Sequence, residues 1–342
     1  MILKNKKILI IQTAFLGDVI LALPMVQSIK AHLPDALIDF LCVPSTESVL
    51  HNHPAIHNVI PYDKKGGDKL DKFIEVLNEI REVEYDIVIS PHRFLRSSLL
   101  TYYSESKVRI GFEENSLAFL LTSKVKYIKD KHEIYRNLEL VKQIPALEYD
   151  ENKVSLKPDL YPSTEQKVKV RHLLVHKANL ISFAPCSKWF TKQLPIEKAS
   201  EIAKMLLFKG YNVALVGGEA DIDYCNELAQ KLNDDSLVNL CGKLSPLESY
   251  EVMTQSKALI TVDSAAQHLG SASGIPIVLI YGSTDISFGF YPLTSKYKIA
   301  EIDSLECRPC TDHGRDKCPL GHFKCMVELS AEKIVDMAES MI

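Results

Sequence analysis

The sequence predicts an α/β protein built as two Rossmann-like, doubly wound domains. Short runs rich in Ile, Val and Leu alternate with helical patterns along the chain, which is the order expected of a parallel sheet with helices on both faces. The alternation starts again after a polar segment, ENKVSLKPDLYPSTEQ, whose Pro158 and Pro162 mark it as a linker. The 342 residues suffice for two domains of ordinary size. The expected division is 1–160 and 161–342.

Each element can be justified in order. KILIIQT is a continuous apolar run of strand length, VILALPMVQSIKAHL a helix, ALIDFLCV a second strand, KLDKFIEVLNEIREV a long amphipathic helix, and YDIVISP a strand. EIYRNLELV adds a helix before the linker. In the second half LISFAP leads into KASEIAKMLLFKGY, NVALVGG into DIDYCNELAQKL, SLVNLCG into SPLESYEVMTQS, and ALITVDS into AAQHLGSASG; IPIVLIYG leads into the C-terminal region.

The overall composition, 46% hydrophobic and 25% charged with a formal net charge of -4, is that of a soluble globular protein and argues against a general nucleic-acid binder. No uninterrupted apolar run reaches the roughly 18 residues of a spanning helix, so membrane contact is expected to be peripheral. A basic start (Lys4, Lys6, Lys7) before apolar residues suggests a signal peptide, but Gln12 and Asp18 interrupt the run and no small-x-small cleavage site follows. A cytoplasmic protein is expected. Cys42, Cys186, Cys225 and Cys241 are scattered in apolar or helical contexts and read as reduced thiols.

In doubly wound sheets ligands bind beyond the carboxyl ends of the strands, so the residues after each strand carry the functional information. Four such places in the second half suit a nucleotide diphosphate. Asp263-Ser264-Ala265-Ala266 and Gly282-Ser283-Thr284 are small-residue turns that would open backbone amides to phosphate. Ser187-Lys188-Trp189 and Lys192 offer positive charge and a ring for a base. Gly217-Gly218 with Glu219 or Asp221 could hold a ribose through its hydroxyls. Neither GxGxxG nor GxxxxGK[ST] occurs, which argues against a dinucleotide dehydrogenase or a P-loop phosphotransferase.

Taken in order, GDVILALP, PCSKWFTKQLP, GYNVALVGGEAD, LCGKLSPLE, ITVDSAAQHLGSASGIPIVLIYGSTD and CRPC…CPLGH…CM resemble glycosyltransferase family 9, the bacterial lipopolysaccharide heptosyltransferases. The resemblance covers nearly the whole chain. It implies a glycosyltransferase-B fold, an acceptor-binding N-terminal and a donor-binding C-terminal domain facing across a cleft, and an ADP-heptose donor. It places Lys192 on the donor diphosphate, Asp263 near the donor, Ser264, Ala265 and His268 around the phosphates and sugar, and Thr284 in the same cleft. Two positions depart from the family pattern: Ala265 stands where Gly is usual, and Gly282-Ser283-Thr284-Asp285-Ile286 where Gly-Pro-Thr-Asp-Pro is common. The Ala methyl fits an ordinary helix start but not a positive φ.

Sugar transfer with inversion needs a base for the acceptor hydroxyl and stabilisation of the departing diphosphate. In FLGDVILALP the pair Gly17-Asp18 breaks an apolar stretch, and Asp18 is the leading candidate for the base. A helix cap is the alternative role; the helix dipole would hold Asp18 ionised and lower its basicity. An acceptor of Kdo and phosphorylated lipid A is anionic, so cations are expected around it: His92, Arg93 and Arg96 after a strand, Lys64-Lys65, and Arg136. Arg93 and Arg96, three apart, are expected to share a helix face.

Cys307, Cys310, Cys318 and Cys325 are spaced C-x2-C-x7-C-x6-C with His313 and His322 between them. The group reads either as a tetrahedral structural zinc site or as four reduced thiols in a loop. Catalysis is expected to need no metal, because Lys192 and helix amides can stabilise the leaving diphosphate. A nucleotide-sugar epimerase and a non-catalytic nucleotide-binding module are the competing classes, and a related donor sugar within the same family is a third alternative.

Overall fold

The computed structural model describes residues 5–64 and 66–342. Lys4 of the basic start and Lys65 of the expected cationic pair lie outside the described residues. The chain divides into two compact units, Met1–Tyr161 and Pro162–Ile342.

The first unit is built on β1 (Lys7–Ile11), β2 (Leu37–Cys42), β3 (Asn58–Pro61), β4 (Ile87–Ser90), β5 (Val108–Phe112) and β6 (Ser123–Val125). They form one sheet in the order β3-β2-β1-β4-β5-β6, and every pairing is parallel. Ile8, Leu9, Ile10 and Ile11 are fully buried, as expected of a strand covered on both faces. Helix Lys69–Val83 covers one face with Val76, Leu77 and Ile80. Asp68 starts it by accepting from the amides of Leu70 and Asp71, and Glu84 ends it in the left-handed region. Helices Leu16–His32 and Glu133–Val141 pack together: buried Asn137 donates to the carbonyl of Leu21, 3.2 Å away.

The second unit repeats the plan with β7 (Leu180–Ala184), β8 (Asn212–Leu215), β9 (Leu237–Asn239), β10 (Ala258–Val262), β11 (Ile277–Ile280) and β12 (Tyr297–Ala300). Their order is β12-β11-β10-β7-β8-β9, again parallel throughout. Its core packs Ile181, Phe183, Val213, Leu215, Ile260 and Val278 against helices that include Ile196–Phe208 and Ala331–Glu339. In both sheets the winding reverses at one place, between β1 and β4 and between β7 and β10. Crevices at such reversals are where doubly wound sheets bind ligands.

The segment from Ile302 to Phe323 has no helix or strand, although it contains three of the four clustered cysteines. Cys42, Cys186, Cys225 and Cys241 are buried free thiols.

Candidate active site

At the β1/β4 reversal, Thr13, His92 and Ser97 form a buried triangle. His92 Nδ1 lies 2.7 Å from Ser97 Oγ and 3.1 Å from Thr13 Oγ1, and the two hydroxyls are 3.3 Å apart. Burial, with Lys64 and Arg93 nearby, pulls the His92 pKa down to about 4. His92 is thus neutral at pH 7 and ties two strand ends together; it is not the cation expected from sequence. Arg93 and Arg96 also differ from expectation. Helix Leu95–Tyr103 starts after Phe94, so Arg93 precedes it and the pair share no helix face. The Arg93 guanidinium lies 3.9 Å from the centre of the Tyr127 ring, whereas Arg96 Nη1 donates to the Lys64 carbonyl at 2.6 Å. Lys64 Nζ in turn donates to the Thr13 carbonyl at 2.6 Å.

Asp18 is not a loop residue. Helix Leu16–His32 begins two residues earlier with Phe15 as its cap, so Gly17 has helical backbone and Asp18 is the third helical residue. Its Oδ2 accepts from the Phe15 amide at 3.1 Å, the backward half of a capping box. The carboxylate therefore does contribute to capping, from a position inside the helix. Burial and the neighbouring Glu133 carboxylate raise its pKa to about 6, against the lowering effect of the Phe15 and Asp18 amides and of Arg93. The dipole effect expected from sequence is outweighed, and Asp18 is poised to exchange a proton near neutral pH.

Glu133 is a neighbour that sequence reading passed over. It begins helix Glu133–Val141 and is buried with Arg136, whose Nη1 lies 2.7 Å from Glu133 Oε2. Tyr127 Oη donates to the same oxygen at 2.8 Å. Arg136 also reaches the Ile128 carbonyl at 2.8 Å and the Lys129 carbonyl, so this cation is part of a buried framework. Tyr127 and Glu133 flank a polar stretch with no motif, and only the fold brings Glu133 near Asp18.

At the β7/β10 reversal the structure brings together three residues from three strand ends. Lys192 Nζ lies 2.8 Å from Asp263 Oδ2, Thr284 Oγ1 donates to that oxygen at 2.7 Å, and Gln267 Nε2 donates to Oδ1 at 2.9 Å. Burial alone would raise the Asp263 pKa, but Lys192, Thr284 and His268 hold it below the ordinary carboxylate value. Helix Ala265–Ser273 starts here with Ser264 as N-cap and no side-chain cap bond. Ala265 is its first residue and is not among the positive-φ positions, so the methyl group is accommodated. The buried His268 ring lies one turn further along.

Gly282-Ser283-Thr284 is not a second helix start. It leads only into the short turn Ile286–Phe288, capped by Asp285. Gly282 is required for close approach, because a Cβ there would come within 2.7 Å of the Thr191 carbonyl oxygen. On the β7 side, Ser187 Oγ accepts from the Trp189 amide at 3.4 Å, and Lys188 Nζ sits 5.1 Å from the Trp189 ring centre. After β8, the amide of Gly218 donates to Asp221 Oδ2 at 2.9 Å. Asp221 is thereby committed to its own loop, and Glu219 is the exposed carboxylate. Asp221-Ile222-Asp223 has Asp-x-Asp spacing. Asp223, exposed, is in the first turn of the following helix.

Cys307, Cys310, Cys318 and Cys325 line one pocket together with His322. Among the described residues, no three His, Cys, Asp or Glu side chains are grouped tightly enough to grip an ion. His313 is not among the residues that line this pocket.

Residues 74–320 match the sequence model of glycosyltransferase family 9 (heptosyltransferase). The chain is 25% identical to lipopolysaccharide heptosyltransferase 2 of Salmonella typhimurium, with 98% of each covered. Its fold is similar to that of a glycosyl transferase family 9 protein of Veillonella parvula, with a TM-score of 0.86 at 22% identity over 100% of this chain and 98% of that one. It is also similar to the ADP-heptose lps heptosyltransferase II of E. coli, with a TM-score of 0.80 at 20% identity over 98% of each chain. Two parallel α/β units of this kind are the glycosyltransferase-B fold. With a family match spanning most of its length, the chain belongs to glycosyltransferase family 9, the heptosyltransferases, and is an enzyme of glycosyl transfer.

Proposed function

We propose that this enzyme transfers a heptosyl group from ADP-L-glycero-D-manno-heptose to the lipopolysaccharide inner core, with a heptosyl-Kdo-lipid A type acceptor and inversion at the anomeric carbon. The observation that carries the donor reading is the meeting of Lys192, Asp263 and Thr284 beside the start of helix Ala265–Ser273. A lysine ammonium and free helix amides form a ready anion site. The names of the relatives, a lipopolysaccharide heptosyltransferase 2 and an ADP-heptose lps heptosyltransferase II, support a heptose donor and a lipopolysaccharide acceptor. In this reading Ser187, Lys188, Trp189, Gly218, Glu219, Ser264, Ala265 and His268 surround the nucleotide sugar, and Gly17, Arg93 and Arg96 belong to the acceptor side.

In the reaction an acceptor hydroxyl oxygen bonds to the anomeric carbon as the bond from that carbon to the diphosphate oxygen breaks. Asp18 takes the hydroxyl proton, and Lys192 with the helix amides stabilises the charge that develops on ADP. No metal is needed for this step. No helix among the described residues is long and apolar enough to cross a membrane, which is compatible with peripheral action at the cytoplasmic face of the inner membrane.

The test is incubation with ADP-heptose with and without a heptosyl-Kdo-lipid A acceptor. Release of ADP only with acceptor, and its loss in Asp18→Asn, supports the reading. Full turnover by a folded Asp18→Asn enzyme would overturn the assignment of the base. ADP release that ignores the acceptor would overturn transfer.

A further inference from the structure

Two helices start at the β1/β4 reversal, and both lack a polar cap. Leu16–His32 follows Phe15 and Leu95–Tyr103 follows Phe94, and neither cap side chain accepts a helix amide. Ser, Thr, Asp and Asn are the residues that favour such starts. The same unit uses polar caps elsewhere: Asp68 and His132 accept amides at the starts of Lys69–Val83 and Glu133–Val141. Nor are the two rings hidden. Phe15 is 61% exposed and Phe94 67%, so each forgoes most of the burial by which a phenylalanine stabilises a fold. Two rings exposed at neighbouring strand ends, against both cap preference and burial, mark a surface that meets a ligand.

Both rings are held in place beside charged groups. Phe94 leans on His92, with ring centres 5.0 Å apart, and His92 is itself tied to Thr13 and Ser97. The Phe15 amide donates to the Asp18 carboxylate at 3.1 Å, which puts this ring on the same first helical turn as Asp18. Next to Phe94, the Arg93 guanidinium lies over the Tyr127 ring, 3.9 Å from its centre. A contact of that kind engages the face of the guanidinium and leaves its in-plane N–H donors for an anion. The Glu133 carboxylate is engaged by Arg136 and Tyr127 instead. Arg93 also acts on the charge of Asp18, so the rings, the cation and the carboxylate share one neighbourhood.

We propose that Phe15 and Phe94 form a stacking platform for the acceptor sugar that carries the reacting hydroxyl, and so determine which acceptor is used. The platform rests on the reading of Asp18 as the base of a sugar transfer. An aromatic face is slightly negative and receives the C–H groups on the apolar side of a pyranose. The reacting hydroxyl must come within hydrogen-bond reach of Asp18, so the group lying on these rings is the sugar itself and not an acyl chain of the lipid. Arg93 marks the side on which the acceptor carries its negative charge; the two rings hold the uncharged part.

Steady-state kinetics of the full chain test this with ADP-heptose and a heptosyl-Kdo-lipid A acceptor, intact and stripped of its acyl chains. Phe94→Ser should raise the KM of both acceptors about three- to tenfold, the loss of one stacking contact, while the KM of ADP-heptose stays unchanged. Phe15→Ser should act in the same direction, and Phe94→Tyr should keep the KM of the unaltered enzyme. Because serine is the better cap, both serine variants should melt about 2–4 °C higher, so loss of fold cannot mimic the result. Should either melt lower, Phe94→Leu keeps apolar bulk without an aromatic face and should still raise the acceptor KM. Acceptor KM unchanged in both serine variants, or in Phe94→Leu, overturns the platform. A rise confined to the acylated acceptor also overturns it, because the rings then touch lipid. Absence of acceptor-dependent ADP release by the unaltered enzyme overturns the transferase reading itself and the platform with it.

Discussion

Lys192 and Asp263 face each other from the segments that follow β7 and β10, with Nζ 2.8 Å from Oδ2 and each side chain 13% exposed. Each is held largely out of water by the fold, and each limits the electrostatic cost of burying the other. The ammonium proposed to meet the donor diphosphate is thus already oriented, and the orientation is the carboxylate's contribution.

Lys192→Met should therefore do two kinds of damage. It removes the cation proposed to stabilise the leaving diphosphate and leaves Asp263 buried without its partner. The expected result is a fall in kcat of about 10²–10³, the loss typical of a preorganised electrostatic contact, with Asp263 titrating at higher pH. Steady-state kinetics and carboxylate titration by NMR check both.

The pH profile should report Asp18. With its pKa raised to about 6, kcat/KM should fall as the pH drops through about 6 and the proposed base becomes protonated. The Glu133 charge disfavours ionised Asp18, so Glu133→Gln should move this limb to lower pH. A profile unchanged by that substitution would show that Glu133 does not influence the group responsible.

The same shift has a consequence for stability. A carboxyl group that binds its proton more tightly in the folded than in the unfolded state makes folding less favourable as pH rises from the ordinary value of 3.8 to about 6. Ionised Asp18 is thus a cost at neutral pH. Asp18→Asn, which keeps an oxygen for the Phe15 amide, should raise Tm by about 2–4 °C at pH 7.5 while abolishing transfer. A thermal melt beside an activity assay separates the two effects.

Arg136→Leu should be among the most damaging substitutions in the first unit. Glu133 is buried, and without the guanidinium 2.7 Å away its charge has no cationic partner in that framework. Breaking such a pair costs about 3–5 kcal/mol, to be read from urea unfolding. The double variant Arg136→Leu/Glu133→Leu should recover much of the loss.

Gly282→Ala tests the close approach beside the Lys192–Asp263 site. The added methyl would meet Met326 Cε at 2.8 Å as well as the Thr191 carbonyl oxygen at 2.7 Å. Overpacking of this kind costs about 1–3 kcal/mol, and the backbone shift should also weaken ADP binding.

The doubly wound character of both halves was legible because the central strands are continuous apolar runs and their helices keep a helical period. KLDKFIEVLNEIREV and EIYRNLELV coincide with the helices Lys69–Val83 and Glu133–Val141. The outer strands were harder. Val108–Phe112 is only partly buried at its start, and Ser123–Val125 is three residues long with no fully buried member. In the second unit, reading the residues after each strand was enough to collect Lys192, Asp263 and Thr284, because strand ends at a winding reversal converge whatever the loops between them. The neighbours of Asp18 were not legible. Glu133 reaches it through the packing of helices Leu16–His32 and Glu133–Val141, more than a hundred residues apart in sequence, and no local pattern records that. His92 was misjudged for a related reason: whether an imidazole is charged depends on its burial, which a strand-end position does not reveal.

The strands at the sheet margins have a consequence of their own. β3, β6, β9 and β12 are only three or four residues long, and three of them carry Pro61, Lys124 or Lys298. Edges so short and so interrupted give a second chain little backbone on which to add a strand. A protein with twelve parallel strands among its described residues and interiors as apolar as these thereby carries its own protection against sheet-to-sheet aggregation.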